Sequence, residues 1–197
     1  PLIFTLKGVL TDAECQHFIE IAADNLKRSR VSGYDDREKR KDGLDNRRTS
    51  SSCWVGHTQD SVTLAVANRI AELVQIPSSH AESFQVLHYE DSQEYQPHLD
   101  TFDPDDKGYL PYLKNGGQRV VTAIAYLSDV IKGGETSFPN LEKIVSPERG
   151  KIVVFHLCKK GTLEPNPDAL HGGMPVLEGE KWAFNLWFRH EELIKKI

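Results

Sequence analysis

Apolar residues change their period twice along the chain. Leu2 to Leu10 alternates apolar with polar positions and predicts a first strand, because successive side chains of a strand face opposite sides. Phe18, Ile19, Ala22, Ala23 and Leu26 recur at helical spacing instead. With Thr11 and Glu14 in capping-box positions ahead of them, they predict a helix from Asp12 to Lys27. A short strand over Thr49 to Gly56 precedes a second helix, Asp60 to Gln75, in which Val62, Val66, Ile70, Leu73 and Val74 share a face and Pro77 supplies the stop. From Ser83 onward the runs are short and β-rich, separated by Gly, Pro, Asn and Asp: Ser83 to Glu90, Tyr95 to Asp100, Arg119 to Leu127, Glu135 to Phe138, Lys151 to Leu157 and Lys181 to His190. The pattern predicts a mainly β chain of α+β type, an antiparallel double sheet with helices on one outer face.

One stretch breaks the periodicity. Lys27 to Arg48 holds nine Lys/Arg and five Asp/Glu with almost no apolar spacing, so it reads as a surface loop. It is either a solvated connector or a lid that closes over a substrate.

At 197 residues the chain has the size of one domain with a core of its own, residues 1–197, with strands and helices over 1–80 and a β core over 81–190. Hydrophobic residues at 39% and charged ones at 27% fall in the ordinary soluble range, and no apolar run reaches a membrane span. The first residue is Pro1, so the absence of a signal peptide says nothing about compartment. A net charge of −5 argues against nucleic acid as a partner. Cys15, Cys53 and Cys158 form no CxxC and no zinc-ribbon spacing, so they read as small buried or half-buried thiols.

The candidate chemistry lies at the end of the Tyr95 strand. His98 and Asp100, two apart, would aim at one point, and His171 later in the chain offers a second imidazole. Two His and one carboxylate with positions left open suit a non-haem Fe(II) oxygenase. Spacing alone does not choose this pair. With 8 His and 29 acidic residues, about one His-x-Asp/Glu match is expected by chance, yet His80/Glu82, His88/Glu90 and His190/Glu192 match as well. His190/Glu192 and His80/Glu82 read as solvated pairs, and His88 as a satisfied strand histidine. His156, inside an apolar run, reads as a core histidine or one that supports the site.

The chain resembles the prolyl 4-hydroxylases, Fe(II)- and 2-oxoglutarate-dependent dioxygenases, most densely from Phe84 to His190. The resemblance is carried by Tyr89, Tyr95-x-Pro97-His98-x-Asp100, Gly116-Gly117-Gln118-Arg119-Val120-Val121-Thr122, Tyr126-Leu127, Gly133-Gly134-Glu135-Thr136, Leu170-His171-Gly172, Pro175-Val176, Gly179-x-Lys181-Trp182 and Trp187. It implies a double-stranded β-helix (jelly roll, cupin-like) with N-terminal helices covering the major sheet. By the same resemblance His98, Asp100 and His171 are iron ligands, and Lys181 grips the distal carboxylate of 2-oxoglutarate with Tyr89 and Thr136 as hydroxyl donors. Tyr95, Arg119 and Trp187 line the substrate wall, and Trp182 is a packing residue.

The implied reaction converts a peptidyl proline, in a proline-rich or collagen-like peptide, to 4-hydroxyproline. It uses O2 and 2-oxoglutarate, releases succinate and CO2, and takes L-ascorbate as reductant. Lysyl or oxygen-sensing hydroxylation, and a catalytically silent peptide-binding jelly roll, are the alternatives. A zinc hydrolase is disfavoured because no general base stands out. The implied setting is the secretory pathway or ER lumen for a eukaryotic source and the cytoplasm for a bacterial or viral one. Oligomeric state is left open, with a monomer sufficient. One departure stands out: Ser92 occupies a position where the family often has Gly, which puts the geometry of that turn in question.

Overall fold

The computed structural model describes residues 2–29, 46–103, 105 and 109–194. In chain order the elements are β1 (Ile3–Leu6), α1 (Asp12–Ala23), β2 (Lys27–Arg28), β3 (Ser51–Val55), α2 (Ser61–Val74), β4 (Phe84–Tyr89), β5 (Tyr95–His98), α3 (Leu110–Leu113), β6 (Arg119–Tyr126), β7 (Lys132–Gly133), β8 (Thr136–Phe138), β9 (Lys143–Val145), β10 (Ile152–His156), β11 (His171–Gly173), β12 (Val176–Glu178) and β13 (Lys181–Arg189). A seven-stranded sheet runs β1-β10-β6-β13-β4-β3-β2, a four-stranded sheet runs β5-β11-β8-β9, and β12 pairs with β7. This is the double-stranded β-helix that the resemblance implies.

Strand parity decides what each face of the large sheet meets. Val86, Ala123, Val154 and Phe184 turn toward α1 and α2 and pack with Phe18, Val66 and Ile70. The rings of Phe18, Phe84 and Phe184 lie 4.8 to 4.9 Å apart, all fully buried. Each such side chain contributes about 2 to 3 kcal/mol of burial. Residues of the opposite parity, Ile124, Tyr126, Val153, Phe155 and Ala183, face the small sheet and pack with its Phe138. Tyr89, Thr122, Lys181 and Trp187 share that inward parity, so they point into the space between the sheets.

The capping box expected at Thr11 and Glu14 is present, with both reciprocal hydrogen bonds formed. Helix α1 ends at Ala23, short of the expected Lys27. Asp24 and Asn25 offer the backbone local polar partners, and Asn25 Nδ2 donates to Ile21 O at 3.2 Å. Lys27–Arg28 then pairs with β3 rather than lying in a loop. At the far end of the long charged stretch the backbone lies along β5: Gln96 N–H donates to Arg47 O at 2.8 Å and Thr49 N–H to Glu94 O at 2.9 Å. Residues 30–45, on which the lid expectation chiefly rests, lie outside the described residues.

Strand β5 stops at His98 rather than at Asp100, and its Pro97 is tolerated because β5 lies at a sheet edge. Ser92, in the turn between β4 and β5, adopts φ of 63°. The turn thus has the left-handed geometry that glycine takes without strain and serine does not. Among the described residues no helix is long and apolar enough to cross a membrane.

Candidate metal centre

Two edges of backbone bring the ligand set together. His98 is the last residue of β5, His171 is the first of β11, and the antiparallel pairing sets them directly opposite each other. That pairing needs glycine at the next position: a Cβ on Gly172 would come within 2.9 Å of Tyr95 O. Asp100 follows two residues beyond His98 and returns its carboxylate between the imidazoles. Its Oδ1 lies 3.4 Å from His98 Nε2 and its Oδ2 lies 3.4 Å from His171 Nε2. One ligand atom from each of the three residues falls within 4.8 Å of the others, and among the described residues this is the one such cluster.

The outer contacts orient the donors. His98 Nδ1 donates to Gln96 O at 2.9 Å and His171 Nδ1 to Ala169 O at 3.0 Å, which turns both Nε2 lone pairs inward. Thr122 Oγ1 donates to Asp100 Oδ2 at 2.7 Å. Burial pushes His171 down to about 4, leaving a neutral imidazole. Burial alone would raise Asp100, but His171, His98 and Arg119 hold it well below the usual carboxylate range. Neutral imidazoles and an ionised carboxylate are the protonation states a metal requires. Donors around one ion at bond lengths of about 2.0 to 2.2 Å sit roughly 3 to 4 Å apart, so the 3.4 Å contacts fit a single ion.

Beside this cluster lies a buried ammonium. Lys181, at the start of β13, is 4% exposed, and no carboxylate pairs with it among the described residues. Burial pushes it down to about 8, with Glu135 acting in the opposite direction. Its Nζ lies 5.2 Å from the Tyr89 ring centroid and 5.6 Å from that of Tyr126. The space between them is kept open by Gly173: a Cβ there would stand 3.7 Å from Tyr89 Oη and 3.9 Å from Lys181 Nζ. Thr136 is buried, and its Oγ1 accepts from Tyr126 Oη at 2.7 Å. A cation, hydroxyls and a glycine-lined gap next to a three-donor centre suit a small dianion that also reaches the metal.

The third face is aromatic. Tyr95 stacks on His98 with centroids 3.6 Å apart, and the Arg48 guanidinium sits 4.7 Å from the Tyr95 ring. Burial pushes the Tyr95 hydroxyl up to about 12. Arg119 lies 3.8 Å from the Trp187 ring centroid and is gripped by Glu82 at 2.6 and 2.7 Å. Trp187 is 4% exposed, and its Nε1 has no hydrogen-bond partner among the described residues.

The structure brings together His98, Asp100 and His171, and sets Lys181, Tyr89, Thr136, Tyr95, Arg119 and Trp187 around them. Other sequence readings change. Glu82 is no solvated residue: its side chain is 15% exposed and bridges Arg119 and Arg189. His156 is exposed rather than core, because it lies at the outer end of β10. His88 stacks on Trp182 and meets Glu180 at 2.6 Å on the helix-side face, away from the centre. His190 is exposed, as expected. Thr122, Gln118 and Tyr126 escaped the sequence reading as site residues. Gln118 pins the start of the 101–118 loop by bonding both Phe102 N–H and Phe102 O. Thr122 and Tyr126 stood among the residues that carry the resemblance, and their inward parity on β6 was the signal that could have assigned them to the site.

Comparison with known proteins agrees with this geometry. A family model described as the 2OG-Fe(II) oxygenase superfamily matches residues 84–189. Prolyl 4-hydroxylase 2 of Arabidopsis thaliana is 34% identical, over 100% of this chain and 70% of the relative. Probable prolyl 4-hydroxylase 6 of the same plant is 36% identical, over 100% of this chain and 72% of the relative. The crystal structure of the viral collagen prolyl hydroxylase of Paramecium Bursaria Chlorella virus-1, a 2OG complex, superposes with a TM-score of 0.74 at 25% identity and covers 96% of each chain.

Proposed function

The chain belongs to the 2OG-Fe(II) oxygenase superfamily and, within it, to the prolyl 4-hydroxylases, Fe(II)- and 2-oxoglutarate-dependent oxidoreductases, and on that premise we propose that it hydroxylates C4 of peptidyl proline in proline-rich or collagen-like chains. The observation that carries the reading is the convergence of His98, Asp100 and His171 beside a buried Lys181 that pairs with no carboxylate among the described residues. A bare metal hydrolase or a peptide-binding module has no use for that ammonium.

In this reading His98, Asp100 and His171 hold Fe(II), and Lys181 holds the distal carboxylate of 2-oxoglutarate through a charge-assisted hydrogen bond. Tyr89 and Thr136 add hydroxyl contacts. Iron and keto acid together supply the oxidation: O2 is consumed, succinate and CO2 leave, and one oxygen atom enters a C–H bond. The protein's own work is placement. Thr122 fixes the Asp100 carboxylate, and the Gln96 and Ala169 carbonyls fix the two imidazoles. Tyr95, Arg119 and Trp187 form a flat-walled slot that orients a pyrrolidine ring and excludes water. Ascorbate serves as reductant, and every residue named for the site comes from one chain.

The test is mass spectrometry of mixed proline-containing peptides incubated with Fe(II), 2-oxoglutarate and ascorbate. A gain of one oxygen on proline, identified as 4-hydroxyproline, supports the reading. Hydroxylysine or no product rejects it.

A further inference from the structure

The slot described above accounts for Trp187 but not for its neighbour Trp54. Trp54 lies on β3 opposite Gln85 of β4. Cys53 and Val55 on either side of it pack toward the helices, so Trp54 takes the opposite face, the one shared with Trp187. Strand β3 lies near the edge of the large sheet, outward of β4. There Trp54 is 54% exposed, with its ring centroid 6.0 Å from that of Trp187. Arg119 follows 3.8 Å beyond Trp187 and reaches back to Asp100 O at 3.5 Å. A file of flat groups thus leads from the Asp100 backbone outward and ends on an open indole.

We infer that Trp54 is the floor of an outer subsite that receives a second imino-acid ring of the substrate, three residues from the proline being hydroxylated. The inference rests on the prolyl hydroxylase reading and deepens it. A polyproline II chain repeats every three residues and rises about 9 Å per turn, so residues three apart lie on one side of it. The 6.0 Å step from Trp54 to Trp187, a wall of the slot, is shorter than one such turn, so a chain with one ring in the slot can bring the ring three residues away onto Trp54. Pyrrolidine rings on a preformed helix stack on flat aromatic surfaces at little cost in entropy. Between the two rings the peptide backbone passes Trp187. The preference for proline-rich chains then resides in a residue that touches neither metal nor co-substrate.

The test uses peptides with one reactive proline and, three residues away on either side, trans-4-hydroxyproline or alanine. Hydroxyproline keeps the ring but cannot accept the same hydroxyl again. The wild-type enzyme should show kcat/KM roughly three- to tenfold higher for a peptide carrying the outer ring, on the scale of one aromatic stacking contact. In Trp54→Ala that ratio should fall to about one with turnover of the alanine peptide unchanged, and Trp54→Phe should keep part of it. A wild-type ratio of one, or a ratio that survives in Trp54→Ala, overturns the subsite. Failure of the wild-type enzyme to hydroxylate either peptide would instead reject the underlying reading. Unchanged turnover of the alanine peptide by Trp54→Ala also shows that the variant folds.

Discussion

The two facing sheets are stabilised by different means. The seven-stranded sheet buries Phe84, Val86, Ala123, Val154 and Phe184 against two capped helices, and its stability comes from apolar area. The four-stranded sheet has strands of three or four residues and carries His98 and His171 where it might have carried apolar side chains. Its order comes from the larger sheet beneath it, through Phe138 against Phe155 and the Tyr126 to Thr136 hydrogen bond. The helix-side face of the large sheet is scaffold and the space between the two sheets is site, so damage to each should read out differently.

The sharpest separation should come from the metal ligands. His98→Ala, Asp100→Ala or His171→Ala should lower proline hydroxylation by about three orders of magnitude or more, the scale of losing a metal's contribution. Thermal unfolding of these variants should stay near wild type, and retained turnover in His171→Ala would remove that residue from the ligand set.

The mirror experiment is Phe184→Ala. Emptying the space between Phe18 and Phe84 should cost about 3 to 5 kcal/mol in urea unfolding, with turnover per folded molecule close to wild type. A large loss of specific activity at full folding would show that the scaffold and the site are not separable.

Lys181 sits where the two regions meet, and its variant should have an intermediate effect. Lys181→Ala should raise the 2-oxoglutarate requirement roughly ten- to a hundredfold, the worth of a hydrogen bond to a charged group, with little change in peptide requirement. Its pH behaviour follows from a proton held only below about 8 in the free enzyme. Co-substrate affinity should be steady below that pH and decline as pH rises through it. The unfolded chain keeps the proton up to the ordinary lysine value near 10.4, so over this upper window the folded state gains stability as pH rises. A flat pH profile of the 2-oxoglutarate KM would exclude Lys181 from the contact.

The smallest effect belongs to the turn that carries the chain from one sheet to the other. Ser92→Gly should raise stability by about 0.5 to 1 kcal/mol by relieving a left-handed serine, measurable as a shift in the urea midpoint. No gain would mean that Ser92 compensates through a contact of its own.

Reading the sequence succeeded where a period had room to repeat. Helices α1 and α2 and strands β4, β6, β10 and β13 are long enough to show their faces, and each was located to within a few residues. Strands β2, β7, β9, β11 and β12, at two or three residues, and the single turn of α3 carry no period and were not seen. The ligands were visible for a chemical reason, since two imidazoles and a carboxylate in strand-end positions have few other uses. Choosing His98/Asp100 over three rivals still needed the family resemblance. Glu82 was misread because its sequence neighbourhood is a polar turn, while its partners Arg119 and Arg189 lie far along the chain and only folding brings them near. His156 was misread for the converse reason: its neighbours in sequence are buried, but it lies at the strand end where the sheet meets solvent.

The pairing of His98 with His171 has a consequence for insertions and deletions. The connections after Asp100 and before His171 are loops, where added residues cost only the slow logarithmic growth of closure entropy. Within 95–98 or 171–173, one residue gained or lost would turn an imidazole to the opposite side of its strand. Lengths should therefore drift freely in the two connections among descendants of this gene, while a single-codon indel in either short strand should be lethal to activity.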